Sequence, residues 1–252
     1  MKLDILLLKN FVPTNPIINA NFLNSIEINY FSAAYKNLNT ILIIGGIHGD
    51  EKPCVDGTFL LKGYLSNPDN QLTKKILRNT SIIIVPILNV AGYLSNARSC
   101  PMLNAQIKYK NNNVIIKDDE KGMYKFPPGW QDPNRGWEEN QTLARLHLKK
   151  LISDYNPTFI IFNHDWSLPQ ARVKIYGESL ISEKLSNVSK ILERIYPPHN
   201  AFGQPWNFVQ LYYEKDKNNM TFKIWEKYKI PNILTETYFV GKQSPKIHLI
   251  TN

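Results

Sequence analysis

The sequence predicts an α/β fold: a mixed, mostly parallel twisted sheet flanked by helices. Three observations lead there. Short apolar runs, most of them hydrophobic at every position, alternate with longer segments of helical period, the pattern of strands covered on both faces. The 252 residues, 43% hydrophobic and 20% charged, are enough for one globular unit with a sizeable core. No internal repeat, low-complexity tract or Pro/Gly/Ser linker divides them, so residues 1–252 read as a single domain.

In chain order, residues 3–8 and 40–44 read as strands, and Pro53 suits the opening of a helix over 53–65. Residues 81–88, with three consecutive isoleucines, read as a third strand. From about 99 to 130 the buried-type pattern lapses, apart from 106–109 and 114–116 flanking Asn111-Asn112-Asn113 like a small hairpin. Loops this long inside a compact domain are usually functional or disordered, and this one is expected to shape the rim of a site. A helix over 138–153 follows, with Leu143, Leu146 and Leu151 as its stripe and Lys149 and Lys150 near its C-terminal end. Strands are then expected at 158–162, 173–176 and 232–235, and helices at 181–196 and 219–228.

Composition excludes several classes. The formal charge of +9 comes mostly from Lys scattered among many Asn, which reads as a solvated surface. No dense Arg/Lys stripe with interleaved aromatics points to nucleic acid. No apolar run approaches the ~18–20 residues that span a bilayer, and the run from Ile5 to Leu8 is too short for the apolar core of a signal peptide. Cys54 and Cys100 form no C-x-x-C pair and no disulfide framework. A cytoplasmic protein without membrane or nucleic-acid partners is the expectation.

The chemistry concentrates at the ends of apolar runs. The run 40–44 is followed by Gly45-Gly46-Ile47-His48-Gly49-Asp50-Glu51. His48 and Glu51, three apart, offer an imidazole and a carboxylate to one point, ligand types that suit zinc. Sites in α/β sheets lie beyond the carboxyl ends of strands, which favours this pair. His164, directly after the run 158–162, is the best third ligand; His147, His199 and His248 sit in less suitable contexts. Two histidines and a glutamate leave a zinc position open, the mark of a catalytic metal. Asn89-Val90-Ala91-Gly92-Tyr93 with Arg98 close behind, and Asp132-Pro133-Asn134-Arg135, add planar forks that match a carboxylate. Glu236, at the end of the run 232–235, is placed to act as a general base. Cys54 reads as a small buried helix residue.

In this order, glycine-glycine before H-x-x-E, N-x-x-G-Y, D-x-N-R, a strand-end histidine and a late T-x-E resemble the zinc carboxypeptidase family, whose carboxypeptidase A-like, phosphorylase/hydrolase-like fold is shared with succinylglutamate desuccinylase and aspartoacylase. The resemblance implies one Zn2+ held by His48, Glu51 and His164. It implies that Glu236 activates the attacking water and passes its proton to the leaving amine, that Arg98 polarises the scissile carbonyl, and that Asn134 and Arg135 hold the substrate's terminal carboxylate. Asp132 matches the carboxylate that orients the first zinc histidine. The implied activity is a metallocarboxypeptidase that hydrolyses the C-terminal amide bond of a peptide bearing a free carboxylate. The alternatives are an N-acyl amino acid hydrolase and a non-catalytic binding protein on the same fold; retention of Glu236 and all three ligands disfavours the latter. Sixteen residues follow Glu236, which leads to the expectation of an open cleft and a peptide substrate. The chain departs from the family pattern in two places. Pro133, Gly136 and Trp137 alter the D-x-N-R turn, and Asn163-His164-Asp165-Trp166 replaces the usual D-x-H-S. Tyr212 and Tyr213 are candidates for an aromatic that closes over substrate.

Overall fold

The computed structural model describes residues 26–33, 39–102, 109–110, 113–114, 129–135, 137–138, 142–166, 172–176 and 220–238, with the backbone alone at 109–110, 113–114, 166, 172–176 and 236–238. The expected strand at 3–8, the expected helix at 181–196, His199, His248, Tyr212 and Tyr213 lie outside the described residues.

Among the described residues, ten strands alternate with helices: β1 (Asn29–Phe31), β2 (Thr40–Ile44), α1 (Lys52–Leu65), α2 (Gln71–Leu77), β3 (Ser81–Val85), α3 (Val90–Ser95), β4 (Cys100–Pro101), β5 (Tyr109–Lys110), β6 (Asn113–Val114), β7 (Trp130–Gln131), α4 (Leu143–Tyr155), β8 (Phe159–Trp166), β9 (Arg172–Tyr176), α5 (Met220–Tyr228) and β10 (Asn232–Tyr238). Six of the strands form one sheet in the order β1-β3-β2-β8-β10-β9. The four central strands run parallel, and β1 and β9 close the two ends antiparallel. This is the expected mixed, mostly parallel α/β architecture.

Alternation along each strand divides the core in two. Leu42, Ile44, Ile83, Val85, Ile160, Phe162 and Leu234 face one way, against Leu143, Leu148, Leu151 and Ile152 of α4 and Met220 and Ile224 of α5. Their neighbours Ile43, Ile82, Ile84, Ile161 and Ile233 face the other way, against Leu61 and Leu65 of α1. All five residues of β3 are buried, as a strand covered on both faces requires. Each fully buried Leu, Ile or Phe contributes about 1.5–3 kcal/mol of transfer free energy, so these two layers hold the sheet that carries the site.

The structure moves several boundaries, each for a physical reason. The third strand stops at Val85, because Pro86 has no N–H to continue a ladder. Strands β8 and β10 run past the apolar runs that announced them, paired in parallel from Asn232↔Ile160 to Tyr238↔Trp166. His164 and Glu236 therefore sit within paired strands, and not just beyond them. Helix α4 begins at Leu143, five residues later than expected, where the Thr142 side chain accepts the Arg145 N–H. Its buried face carries Leu143, Ala144, Arg145, Leu148, Leu151 and Ile152, while Leu146 and His147 are only half-buried. Helix α2 was not anticipated; its N-terminus is capped by Asn70, which accepts the N–H groups of Leu72 and Thr73.

The long excursion after residue 99 is pinned at its base. Strand β4 pairs antiparallel with β7 through Cys100↔Gln131 and Pro101↔Trp130. Inside it, β5 and β6 pair antiparallel through Tyr109↔Val114 and Lys110↔Asn113, closer together in sequence than the expected arms 106–109 and 114–116. Among the described residues no helix is long and apolar enough to cross a membrane.

Candidate metal centre

Three elements of the sheet converge at the carboxyl end of β2. The strand gives way to Gly45-Gly46, and Gly46 takes φ +58°, a conformation that β-carbons disfavour. The chain then packs so tightly on α3 that a Cβ on Gly49 would lie 1.8 Å from the carbonyl carbon of Gly92. Asn89 fixes this approach. Its side chain accepts the Gly92 N–H at 2.9 Å and donates to the carbonyls of Ile47 at 3.1 Å and Ser99 at 2.9 Å. The N-x-x-G motif thus caps α3 and ties together the segments bearing His48 and Arg98.

Glu51 stands immediately before α1, and no side chain of its own caps that helix. The cap comes from β8, where Asp165 accepts the Cys54 N–H at 2.9 Å while its own backbone N–H donates to Glu51 Oε2 at 3.2 Å. A buried network beneath holds the strands in register: Asn163 donates to Thr58 Oγ1 at 3.1 Å, and Thr235 Oγ1 meets Asn163 Oδ1 at 3.1 Å. Cys54 is fully buried, its thiol directed at the Glu51 carbonyl at 2.9 Å.

On this scaffold His48 Nδ1 lies 2.7 Å from Glu51 Oε1, and His164 Nδ1 lies 2.9 Å from Glu51 Oε2. All three residues are buried, and one ligand atom from each falls within 4.8 Å of the others. Asp132 Oδ1 stands 3.1 Å from His48 Nε2 and fixes that ring, as an outer carboxylate does for a metal-bound histidine. His164 Nε2 is buried with no hydrogen-bond partner among the described residues. Two imidazole nitrogens and a carboxylate, gathered out of water, are a set that suits zinc.

Arg98 joins the cluster from the far side. Its Nη1 is 3.2 Å from Glu51 Oε1 and its Nε 3.4 Å from Asp132 Oδ2. The D-x-N-R turn lies alongside: Asn134 is buried, its backbone N–H donating to Asp132 Oδ1 at 2.8 Å, and its side-chain Oδ1 has no partner among the described residues. Arg135 is exposed, with its backbone N–H on the Asp132 carbonyl at 3.2 Å. Glu236 is the register partner of His164 on one side and of Arg172 on the other; only its backbone is described. Of the sequence-predicted set, the structure gathers His48, Glu51, His164, Arg98 and Asp132 in direct contact, with Asn134 hydrogen-bonded to Asp132. Asn89 and Asp165 are the positioning residues that sequence reasoning missed; for Asn89 the N-x-x-G motif was already a signal.

Charge balance explains how the cluster titrates. Burial alone would drive His48 towards its neutral form, yet the Glu51 and Asp132 carboxylates outweigh it and lift His48 from 6.5 to about 9. Burial likewise opposes the ionised forms of Glu51 and Asp132, but His48 and His164 hold the first well below the usual carboxylate range, and His48 and Arg98 depress the second. In the metal-free protein near neutral pH, His48 is therefore protonated. Zinc uptake requires a neutral imidazole, so binding at pH 7.5 is expected to release about one proton from His48. The apparent affinity should rise roughly tenfold per pH unit and level off near pH 9. Calorimetric titration in buffers of different ionisation enthalpy measures this; a binding enthalpy independent of buffer would contradict it.

The comparisons with known proteins agree with this centre. Among solved structures, the metallo-carboxypeptidase from Burkholderia cenocepacia superposes with a TM-score of 0.62 at 12% identity, covering 89% of this chain and 58% of that one. The metallo-carboxypeptidase from Pseudomonas aeruginosa, in complex with (2-guanidinoethylmercapto)succinic acid, gives 0.62 at 13% identity with coverage of 89% and 58%. The chain thus spans 58% of the length of each of these two proteins. An aspartoacylase family protein from Mesorhizobium loti superposes at 0.48 with 16% identity, covering 89% and 61%. No curated protein matches the sequence. The profile of the zinc carboxypeptidases matches residues 18–151, which include the strand, glycine turn and H-x-x-E that build the centre together with Arg98 and the D-x-N-R turn, and by that match over more than half its length the chain belongs to the zinc carboxypeptidase family.

Proposed function

We propose that the protein is a zinc-dependent carboxypeptidase that removes a residue with a free carboxylate from the C-terminus of a peptide. The observation that carries this reading is the convergence of His48 Nδ1 and His164 Nδ1 on the Glu51 carboxylate, with Asp132 behind His48. His48, Glu51 and His164 would hold the metal. Bound there, zinc supplies Lewis acidity and lowers the pKa of water towards ~7.

The chain's own residues account for the other steps. Glu236, one strand over from His164, takes the proton from the attacking water and delivers it to the departing amine. Arg98 brings a fixed positive charge to the oxygen of the scissile carbonyl, where charge develops only as the reaction proceeds. Asn134, donating through its side-chain NH2, and the exposed fork of Arg135 grip the terminal carboxylate and so set which bond meets the centre. Asp132 keeps the His48 ring oriented. The succinic acid derivative bound to the Pseudomonas aeruginosa relative is a ligand of the same carboxylate chemistry.

This predicts a strong preference for free over amidated C-termini. Buried or oriented polar groups left without their partner cost about 1–3 kcal/mol each, so amidation is expected to lower kcat/KM by at least about tenfold. Hydrolysis of paired peptides, alongside N-acyl amino acids, measures it. Equal rates on both peptide forms remove Asn134 and Arg135 from this role, and turnover of acyl amino acids alone replaces the peptidase reading with the acylase one.

A further inference from the structure

Arg145 does not belong where ordinary electrostatics would put an arginine. It lies in the first turn of α4, where the helix dipole disfavours a cation, and it is only 1% exposed. Its guanidinium turns towards the D-x-N-R segment. Nε donates to the Pro133 carbonyl at 3.1 Å, and Nη2 donates to the same carbonyl and, at 3.2 Å, to that of Arg135. The flat face of the group packs on Trp137, 4.5 Å from the ring centroid, and Trp137 is itself buried and set edge-on to Tyr228 of α5. The carbonyl between the two gripped ones, that of Asn134, accepts the N–H of Met220, the first residue of α5.

Three successive carbonyls of the turn are thus bound, two by one side chain. The fork suits this, since a guanidinium holds its donors in one fixed plane, whereas an ammonium is a compact point charge with rotatable donors. The grip uses only the backbone carbonyls of Pro133 and Arg135, and the side chain of Asn134 takes no part in it. Asp132 has further anchors outside the turn, His48 and Arg98. Pro133, Gly136 and Trp137 are the positions at which the turn departs from its family pattern, and Pro133 and Trp137 are two of the residues Arg145 touches.

We propose that Arg145 is a positioning residue for substrate recognition: it shapes the 133–135 backbone so that Asn134 and Arg135 meet the substrate carboxylate. The inference rests on the carboxypeptidase reading above. Burial of the guanidinium is costly, and the carbonyl contacts and the Trp137 face offset it only while the turn keeps this form.

The test compares wild type, Arg145→Met and Arg145→Lys on paired free and amidated peptides, with zinc affinity measured by chelator competition and folding by thermal unfolding. Arg145→Met is expected to raise KM for free-terminus peptides about 10–100-fold, with kcat within about threefold, and to erase most of the preference over amidated termini. Zinc affinity should stay within about threefold, because His48 and Arg98 hold the Asp132 carboxylate in addition to the Asn134 N–H. Arg145→Lys, which keeps the charge and much of the stem, should fold even if the Met variant does not, and should lose at least about fivefold in the same preference. Leu148→Ala, on the same buried face, supplies the control: it lowers stability and leaves the preference intact. A folded Arg145→Lys protein with wild-type preference overturns the proposal, as does a loss of zinc affinity that accounts for the whole effect. If wild type itself shows no preference for free termini, it is the carboxypeptidase reading that fails.

Discussion

Glu236→Gln is expected to reduce hydrolysis by about 10²–10⁴-fold while leaving zinc content and zinc affinity unchanged. The substitution keeps the shape of the side chain and removes only its basicity, so the loss isolates proton transfer. The converging ligand atoms come from His48, Glu51 and His164, and the substitution leaves all three in place, which is why the metal should remain. Its backbone is fixed independently of its side chain. It pairs with His164 across the β8–β10 ladder, and the preceding Thr235 is anchored by Asn163 Oδ1 and the Phe162 carbonyl, at 3.1 and 3.3 Å. A misplaced strand would therefore not mimic the effect. The measurement is single-turnover hydrolysis of a free-terminus peptide, with zinc stoichiometry determined on the same preparation. Activity within tenfold of wild type would remove Glu236 as the base and turn attention to other acceptors near the cluster.

The sequence showed the site more clearly than the elements around it. Glycine-glycine and H-x-x-E were legible because tight turns and metal ligands restrict residue type at fixed spacing, and the structure places Gly46 at positive φ and His48 against Glu51 accordingly. The parallel strands were legible from their apolar runs, but their ends were not. Phe162 is followed by Asn163-His164-Asp165, polar residues that end the hydrophobic pattern, although pairing with β10 carries the strand to Trp166. Local pattern cannot show a ladder sustained by a distant neighbour. Arg145 was illegible for a related reason. On a helix an arginine reads as solvated, and only the proximity of the 133–135 carbonyls turns it inward. Asp165 carries the same lesson, since its function as a cap for α1 exists only once β8 lies beside that helix.

Removing the carboxylate at the centre, in Glu51→Ala, is the other change with a large expected effect, and it acts on two separable quantities. Zinc affinity should fall by more than the ~10–100-fold that loss of an outer partner costs, because a ligand itself is gone. The metal-free protein should also change, because Glu51 is the shared counter-charge of two buried imidazoles and of Arg98. Breaking such a buried pair from one side costs about 3–5 kcal/mol. The pH dependence follows from the shifts. Glu51 is held below its ordinary value, so its contribution is present above about pH 4.5 and fades as pH falls through its lowered value. His48 is raised, so its share is complete below pH 6.5 and is lost as pH climbs through about 9. The gap in thermal stability between metal-free wild type and Glu51→Ala should therefore be widest between about pH 4.5 and 6.5 and narrow towards both extremes, the more so in the alkaline direction as His48 deprotonates. Thermal unfolding of both chelator-treated proteins across pH 4–10 measures the gap. If it stays flat from pH 6 to 10, the His48–Glu51 pair does not hold the metal-free centre together; if zinc binds the variant as tightly as wild type, Glu51 is not a ligand.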